Sequence, residues 1–178
     1  MEDKYHYPLP RDEVKSIRQA IQKIRFEKEE YLYVFKNGKQ FRRYRGEKSY
    51  VNIPLEYLFE LKDTSLVHNH PSDTTFSLDD VQSAVKYNVR ELLVVTKQYV
   101  YSIKRPENGW GINFDDKSRQ QDLDSCEKIA REMVEKYAAR FQIKNEEVEV
   151  FFLHFVWVFF FNMFNIEYAK KEHPENSI

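Results

Sequence analysis

The chain of 178 residues contains a single cysteine, Cys126, so no disulfide can form within it. It also lacks any surplus of charge: 28 Lys and Arg stand against 29 Asp and Glu, a formal net charge of -1. A chain this close to neutrality has no global field to recruit nucleic acid or acidic lipid, and neither partner is expected. The opening stretch MEDKYHYPLP has no apolar core and does not read as a secretory signal. With the lone thiol, this points to the cytoplasm. No internal repeat and no low-complexity linker interrupts the sequence. One uncharged apolar run stands out, Val150 to Phe164 (VFFLHFVWVFFFNMF). It is shorter than the roughly 20 residues a bilayer span needs and includes His154 and Asn162, so it reads as a buried or partner-binding helix. A membrane anchor and a strand are the lesser alternatives.

The remaining elements follow from periodicity. Between Arg11 and about Arg25, apolar Val14, Ile17, Ile21 and Ile24 recur at three and four, which predicts an amphipathic helix. Tyr31 to Phe35 is aromatic and β-branched, and Asn37-Gly38 is a strong hairpin signal. The basic run Lys39 to Arg45 (KQFRRYR) alternates with aromatics and reads as a solvated strand face rather than a nucleic-acid patch. Gly46 turns the chain into a short strand expected at Tyr50 to Ile53. Pro54 suits a first helical turn, and Leu55, Leu58, Phe59 and Leu61 give the helix after it a buried side. A strand over Ser65 to His68, a loop, and a helix from Ser77 to about Tyr87 come next. Glu91 to Thr96 (ELLVVT) is a continuous apolar run expected of a central strand, with Gln98 to Ile103 as its hairpin partner. Leu123, Cys126, Ile129, Ala130, Met133, Val134, Tyr137 and Phe141 then mark a long amphipathic helix; Cys126 lies on that stripe as a structural thiol. The expected fold is α/β (α+β), a mixed central sheet flanked by helices. An N-terminal helix (1–26), a core (27–114) and a C-terminal helical extension (115–178) divide it.

Chemistry concentrates in Leu66 to Val81, LVHNHPSDTTFSLDDV. Alternate residues of a strand face one side, so His68 and His70 present two imidazoles together at a strand end. Pro71 turns the chain, and Asp80 in the first turn of the next helix can fold back as a third, anionic ligand. Three protein ligands leave a fourth tetrahedral position open, as in catalytic rather than structural zinc sites. Ser77-x-x-Asp80 is also a capping box, which by itself explains both residues. His154, on an apolar face, reads as a hydrogen-bonded core histidine.

The stretch HNHPSDTTFSLDD resembles the signature of JAMM (MPN+) zinc metallopeptidases: His-x-His-Pro, a short loop, then Ser-x-x-Asp. It is closest to the RadC-type and phage-associated branches, and the order of elements from about Glu29 to Arg105 follows the same pattern. The resemblance implies a core of the JAMM or cytidine-deaminase type and a Zn²⁺ ion held by His68, His70 and Asp80. It further implies hydrolysis of a peptide or isopeptide bond through a metal-bound water, with Ser77 aiding the oxyanion. A glutamate of an upstream strand would serve as general base. Glu30 shares the strand face of Leu32 and Val34 and fits that place; Glu29 is the runner-up and Glu47 the third. Six residues separate His70 from Ser77 where the common pattern has seven, and Asp73 replaces the usual glycine. Asp79 is an alternative third ligand, and Asp73 reads as a turn residue.

Three functions compete on these features. One is a zinc-dependent peptidase or isopeptidase acting on a protein or peptide, of a phage or a bacterial defence system. Another is a catalytically inactive JAMM-like scaffold that docks a protein partner through Val150–Phe164; the ending NIEYAKK resembles phage head-associated tails. The third, a RadC-like DNA-associated role, has the neutral charge against it.

Overall fold

A computed structural model describes residues 14–173. They form a mixed α+β fold on a six-stranded sheet. Helix α1 spans Ile17–Ile24, with Ser16 as N-cap accepting from Gln19 N. It is shorter than the Arg11–Arg25 periodicity predicts: residues 11–13 lie outside the described residues, and Val14 is buried but precedes the helix.

Strands β1 (Tyr31–Lys36) and β2 (Lys39–Arg45) are the predicted hairpin. Asn37 and Gly38 both take positive φ, 52° and 75°, as a tight two-residue turn matching the strand twist demands. The basic residues of β2 do not form a free patch: Arg42 forks onto Glu60, and Arg45 pairs with Glu29.

Two expectations between Gly46 and Leu61 fail. No strand forms at Tyr50–Ile53. Gly46 N donates to Glu30 O and Glu47 N to Tyr50 O, so the chain doubles back here and finds no strand to pair with. The segment Leu55–Leu61 is a 3₁₀ helix, labelled η1. With three residues per turn, Phe59 falls off the face that Leu58 and Leu61 share and is 88% exposed; Leu55, at the start of the helix, is 79% exposed instead of buried.

Strand β3 (Ser65–Asn69) pairs antiparallel with β1 and parallel with β4 (Glu91–Val95), and helix α2 (Leu78–Lys86) crosses over between the parallel pair. Strand β5 (Tyr99–Lys104) is the antiparallel hairpin partner of β4. Helices α3 (Ser118–Phe141) and α4 (Asn145–Met163) pack on each other. Along α3 only Leu123, Cys126, Ala130 and Val134 of the predicted stripe are buried; Ile129, Tyr137 and Phe141 are exposed.

The chain then returns to the sheet. Strand β6 (Glu167–Glu172) pairs antiparallel with β5, giving the order β2-β1-β3-β4-β5-β6. The segment 115–178, expected to be helical, therefore supplies an edge strand. It also shares the main core, since Leu32, Val34, Leu66 and Val94 cluster with Val81, Leu123, Val156 and Phe160. On the opposite face, α1 covers Tyr33, Phe35, Val67 and Val95. The aromatic run from Val150 is helix as far as Met163, with Phe164 as C-cap, and it buries Phe152, Val156, Trp157, Phe160 and Phe161 in that core. Among the described residues, no helix is long and apolar enough to cross a membrane.

Candidate metal centre

Two elements, β3 and α2, deliver the three side chains. His68 lies on β3 and His70 directly after it, where Pro71 begins the turn. Alternation along the strand turns both imidazoles to the face of Leu66, away from α1. Asp80 is the third residue of α2, whose N-terminus faces the end of β3. The sequence predicted this convergence, and the coordinates contain it. His68 Nε2 lies 3.0 Å from His70 Nε2. Asp80 Oδ1 is 3.2 Å from His68 Nε2, and Asp80 Oδ2 is 3.3 Å from His70 Nε2.

This group could hold a metal ion. Donors about 2.1 Å from one tetrahedral centre sit about 3.4 Å apart, close to the separations found. The hydrogen bonds of the outer ring also fit. His70 Nδ1 lies 3.1 Å from Thr74 O and 3.0 Å from Thr75 O. Carbonyls only accept, so Nδ1 carries the proton; whenever the ring is neutral its lone pair is on Nε2 and faces inward, the arrangement a metal-bound histidine requires.

The electrostatics are those of a cation-seeking cluster. Burial works against ionising Asp80, yet His68 and His70 hold its carboxyl well below the usual carboxylate range. For His70, burial favours the neutral ring, but Asp80 and then Glu30 outweigh it and leave the pKa raised. Two imidazole nitrogens at 3.0 Å cannot both present lone pairs without repulsion; a shared proton or a metal cation relieves it.

Asp80 closes the cap weighed from sequence and still faces both histidines. Its Oδ2 accepts from Ser77 N at 2.7 Å, and Ser77 Oγ accepts from Asp80 N at 3.1 Å, a closed capping box. The cap orients the carboxylate instead of consuming it, because Oδ1 still faces His68. Ser77 is exposed on the cleft wall with its hydroxyl proton uncommitted to that box.

The glutamates separate clearly. Glu30 is 6% exposed and lines the same cleft as His68, His70 and Asp80. Burial raises its pKa, with His68 and His70 pulling it back and Asp80 pushing it further up. Glu29 is engaged with Arg45, and Glu47 is exposed. Asp79 is exposed on the cleft rim. Asp73 sits at a positive φ of 61° and binds Lys97 N and Nζ at 2.9 and 3.0 Å, which makes it a turn residue.

Asn69, between the two histidines, was not singled out by motif reasoning. Its side chain, 1% exposed, points to the other face of β3. Oδ1 accepts from Tyr31 N at 2.8 Å, and Nδ2 donates to Glu29 O at 2.9 Å and to Glu27 O at 3.4 Å. Asn69 thus clamps the backbone on both sides of Glu30. The signal available was its place: a polar residue at the end of a predicted strand, between the two histidines and of opposite parity to both.

The cleft in front of the cluster encloses about 690 Å³. Residues 48–53 form one wall and α2 the other, with Leu58 and Leu61 at its base. Elsewhere, His154 Nδ1 meets Tyr168 Oη at 2.7 Å, as expected of a core histidine, and Cys126 is buried with its sulfur 3.7 Å from Met163 Sδ.

No family model matches the chain, and no curated protein or solved structure matches it either.

Proposed function

We propose that the protein is a zinc-dependent peptidase or isopeptidase of the JAMM type. The observation that carries this reading is the convergence of His68, His70 and Asp80 within 3.3 Å contacts, with the buried Glu30 beside them in one open cleft. Two imidazoles and one carboxylate are the donor set of catalytic rather than structural zinc sites. When bound, zinc supplies Lewis acidity, which polarises a carbonyl and brings the pKa of water down to about 7.

The chain's own residues do the rest. Glu30, its pKa raised chiefly by burial, accepts a proton from the attacking water and returns it to the leaving amine. A carboxyl shifted towards neutrality is suited to both transfers. Ser77, at the N-cap of α2, donates its hydroxyl proton to the oxyanion that develops on the scissile carbonyl. The N-terminus of α2 adds its partial positive charge on the same side. The cleft of about 690 Å³ in front of the cluster is the room this reading gives to a protein or peptide substrate.

Metal analysis of the purified protein should give about one zinc per chain. Glu30→Gln should keep that zinc and lose turnover of a fluorogenic peptide or isopeptide library, whereas His68→Ala should lose both. Full activity in Glu30→Gln would refute the role given to this carboxyl.

One observation favours a second reading, a non-catalytic scaffold: the capping box engages Ser77 and Asp80 with no metal required. Protein that stays zinc-free when zinc is supplied would favour that reading.

A further inference from the structure

Three successive carbonyls leave the loop that follows His70. Those of Thr74 and Thr75 take His70 Nδ1. The third, of Phe76, accepts from Trp157 Nε1 on α4 at 2.7 Å. Thr75 Oγ1 lies 3.4 Å from Tyr168 Oη on β6, which in turn lies 2.7 Å from His154 Nδ1. The rings reinforce these bonds: Phe76 meets Phe161 and Tyr168 edge-on at 6.3 and 6.1 Å, and Trp157 stacks on Phe161 at 5.1 Å. Thr75 and Phe76 are each 1% exposed, so this loop is held from behind.

We propose that Trp157 and Tyr168 are positioning residues for the metal centre, fixing the Thr74–Phe76 loop whose carbonyls set the orientation of His70. The proposal rests on the metal reading above. Both residues lie outside the span from Glu29 to Arg105 that carries the motif resemblance. The α4–β6 unit is, on this view, an outer shell of the site as well as a packing layer. Its physical basis is ordering. An imidazole free to rotate must be immobilised when it binds a cation, and a loop locked in advance removes that cost from binding.

The test uses the full chain and zinc itself, with affinity read by competition against a chromophoric chelator. Trp157→Phe removes one N–H and keeps an aromatic ring; Tyr168→Phe removes one hydroxyl. Loss of a direct outer-shell partner weakens metal binding about 10- to 100-fold. These two residues act one bond further out, so each variant should weaken zinc by about 10-fold. Cobalt(II) spectra should report altered tetrahedral bands in both. Phe152→Leu, a core change on α4 with no bond to the loop, is the control and should leave zinc affinity unchanged in folded protein. Wild-type affinity in both Trp157→Phe and Tyr168→Phe would overturn the proposal and leave the metal reading intact. An equal loss in Phe152→Leu would also overturn it, by assigning the effect to general stability. Wild-type protein that binds no zinc would overturn both.

Discussion

Asp80 is at once a helix cap and a candidate metal ligand, and two substitutions pull these roles apart. Ser77→Ala deletes the hydroxyl that accepts from Asp80 N but leaves Ser77 N to hold the carboxylate. Loss of an N-cap side chain costs about 1 kcal/mol, which for a chain of this size lowers the melting temperature by about 2–4 °C. Asp80→Asn keeps an oxygen that can accept from Ser77 N, so the cap largely survives, but the anionic donor is gone. Zinc at 100 times its Kd stabilises a folded protein by about 2.7 kcal/mol, or about 5–11 °C here at the same conversion. Differential scanning calorimetry with and without zinc therefore separates the variants. Ser77→Ala should melt a few degrees lower without metal yet keep the full zinc-induced rise. Asp80→Asn should also melt lower without metal, because it gives up the attraction to His68 and His70, and it should lose the rise. If the hydroxyl serves the oxyanion, Ser77→Ala should also slow turnover about 100- to 1,000-fold. An undiminished zinc shift in Asp80→Asn would show that the carboxylate is a cap and nothing more, and the metal assignment would fall with it.

Three other outcomes follow from the same coordinates. Asn69→Ala removes both side-chain groups that bracket Glu30 and strands Tyr31 N; an unsatisfied buried amide costs about 1–3 kcal/mol, visible in urea unfolding. Because the ligands are untouched, zinc content should persist while turnover drops. Gly46→Ala would place a methyl carbon 2.0 Å from Tyr50 O, so the main chain must move, and overpacking of this kind costs about 1–3 kcal/mol. Gly46 N donates to Glu30 O, so a loss of activity exceeding the loss of zinc is expected, and unchanged kinetics would argue against the role of Glu30. His154 has its pKa pushed down to about 4, first by burial and then by Lys170. The unfolded chain binds that proton more readily, so the stability is complete above about pH 6.5 and is lost as pH falls towards 4. After allowance for the ring's partial exposure the loss is about 2 kcal/mol. His154→Phe should flatten the dependence of the urea midpoint between pH 7 and 4.5.

Local chemistry made several features legible in the sequence alone. Asn37-Gly38 dictates a turn with two positive φ values, ELLVVT admits little but a buried strand, and alternation along a strand puts His68 and His70 on one side. The Ser77 cap fixes where α2 begins, and with it the place of Asp80, because capping is a contact between residues three apart. The failures lie where the deciding partner is remote. Tyr50–Ile53 has the composition of a strand but no strand edge to pair with. Leu55 and Phe59 have a helical spacing but no surface to cover them. Residues 167–172 are rich in charge and read as the end of a helical tail. They form β6 because β5 offers an unpaired edge, which only the assembled sheet creates.

The sequence by itself settled the donor types and their spacing, since both histidines and the aspartate fall within thirteen residues, from 68 to 80, joined by short-range geometry. Alternation with Leu32 and Val34 already favoured Glu30 over Glu29, and the tertiary structure shows why the choice holds: Arg45, across the hairpin, draws Glu29 away, and Asn69 clamps the chain so that Glu30 remains buried beside the cluster. Tertiary structure alone decided that Trp157 and Tyr168, some eighty to ninety residues along the chain from the loop they hold, stand behind His70. Such contacts carry no local pattern, because the hydrogen bond that forms them depends on two segments meeting only after the core has closed.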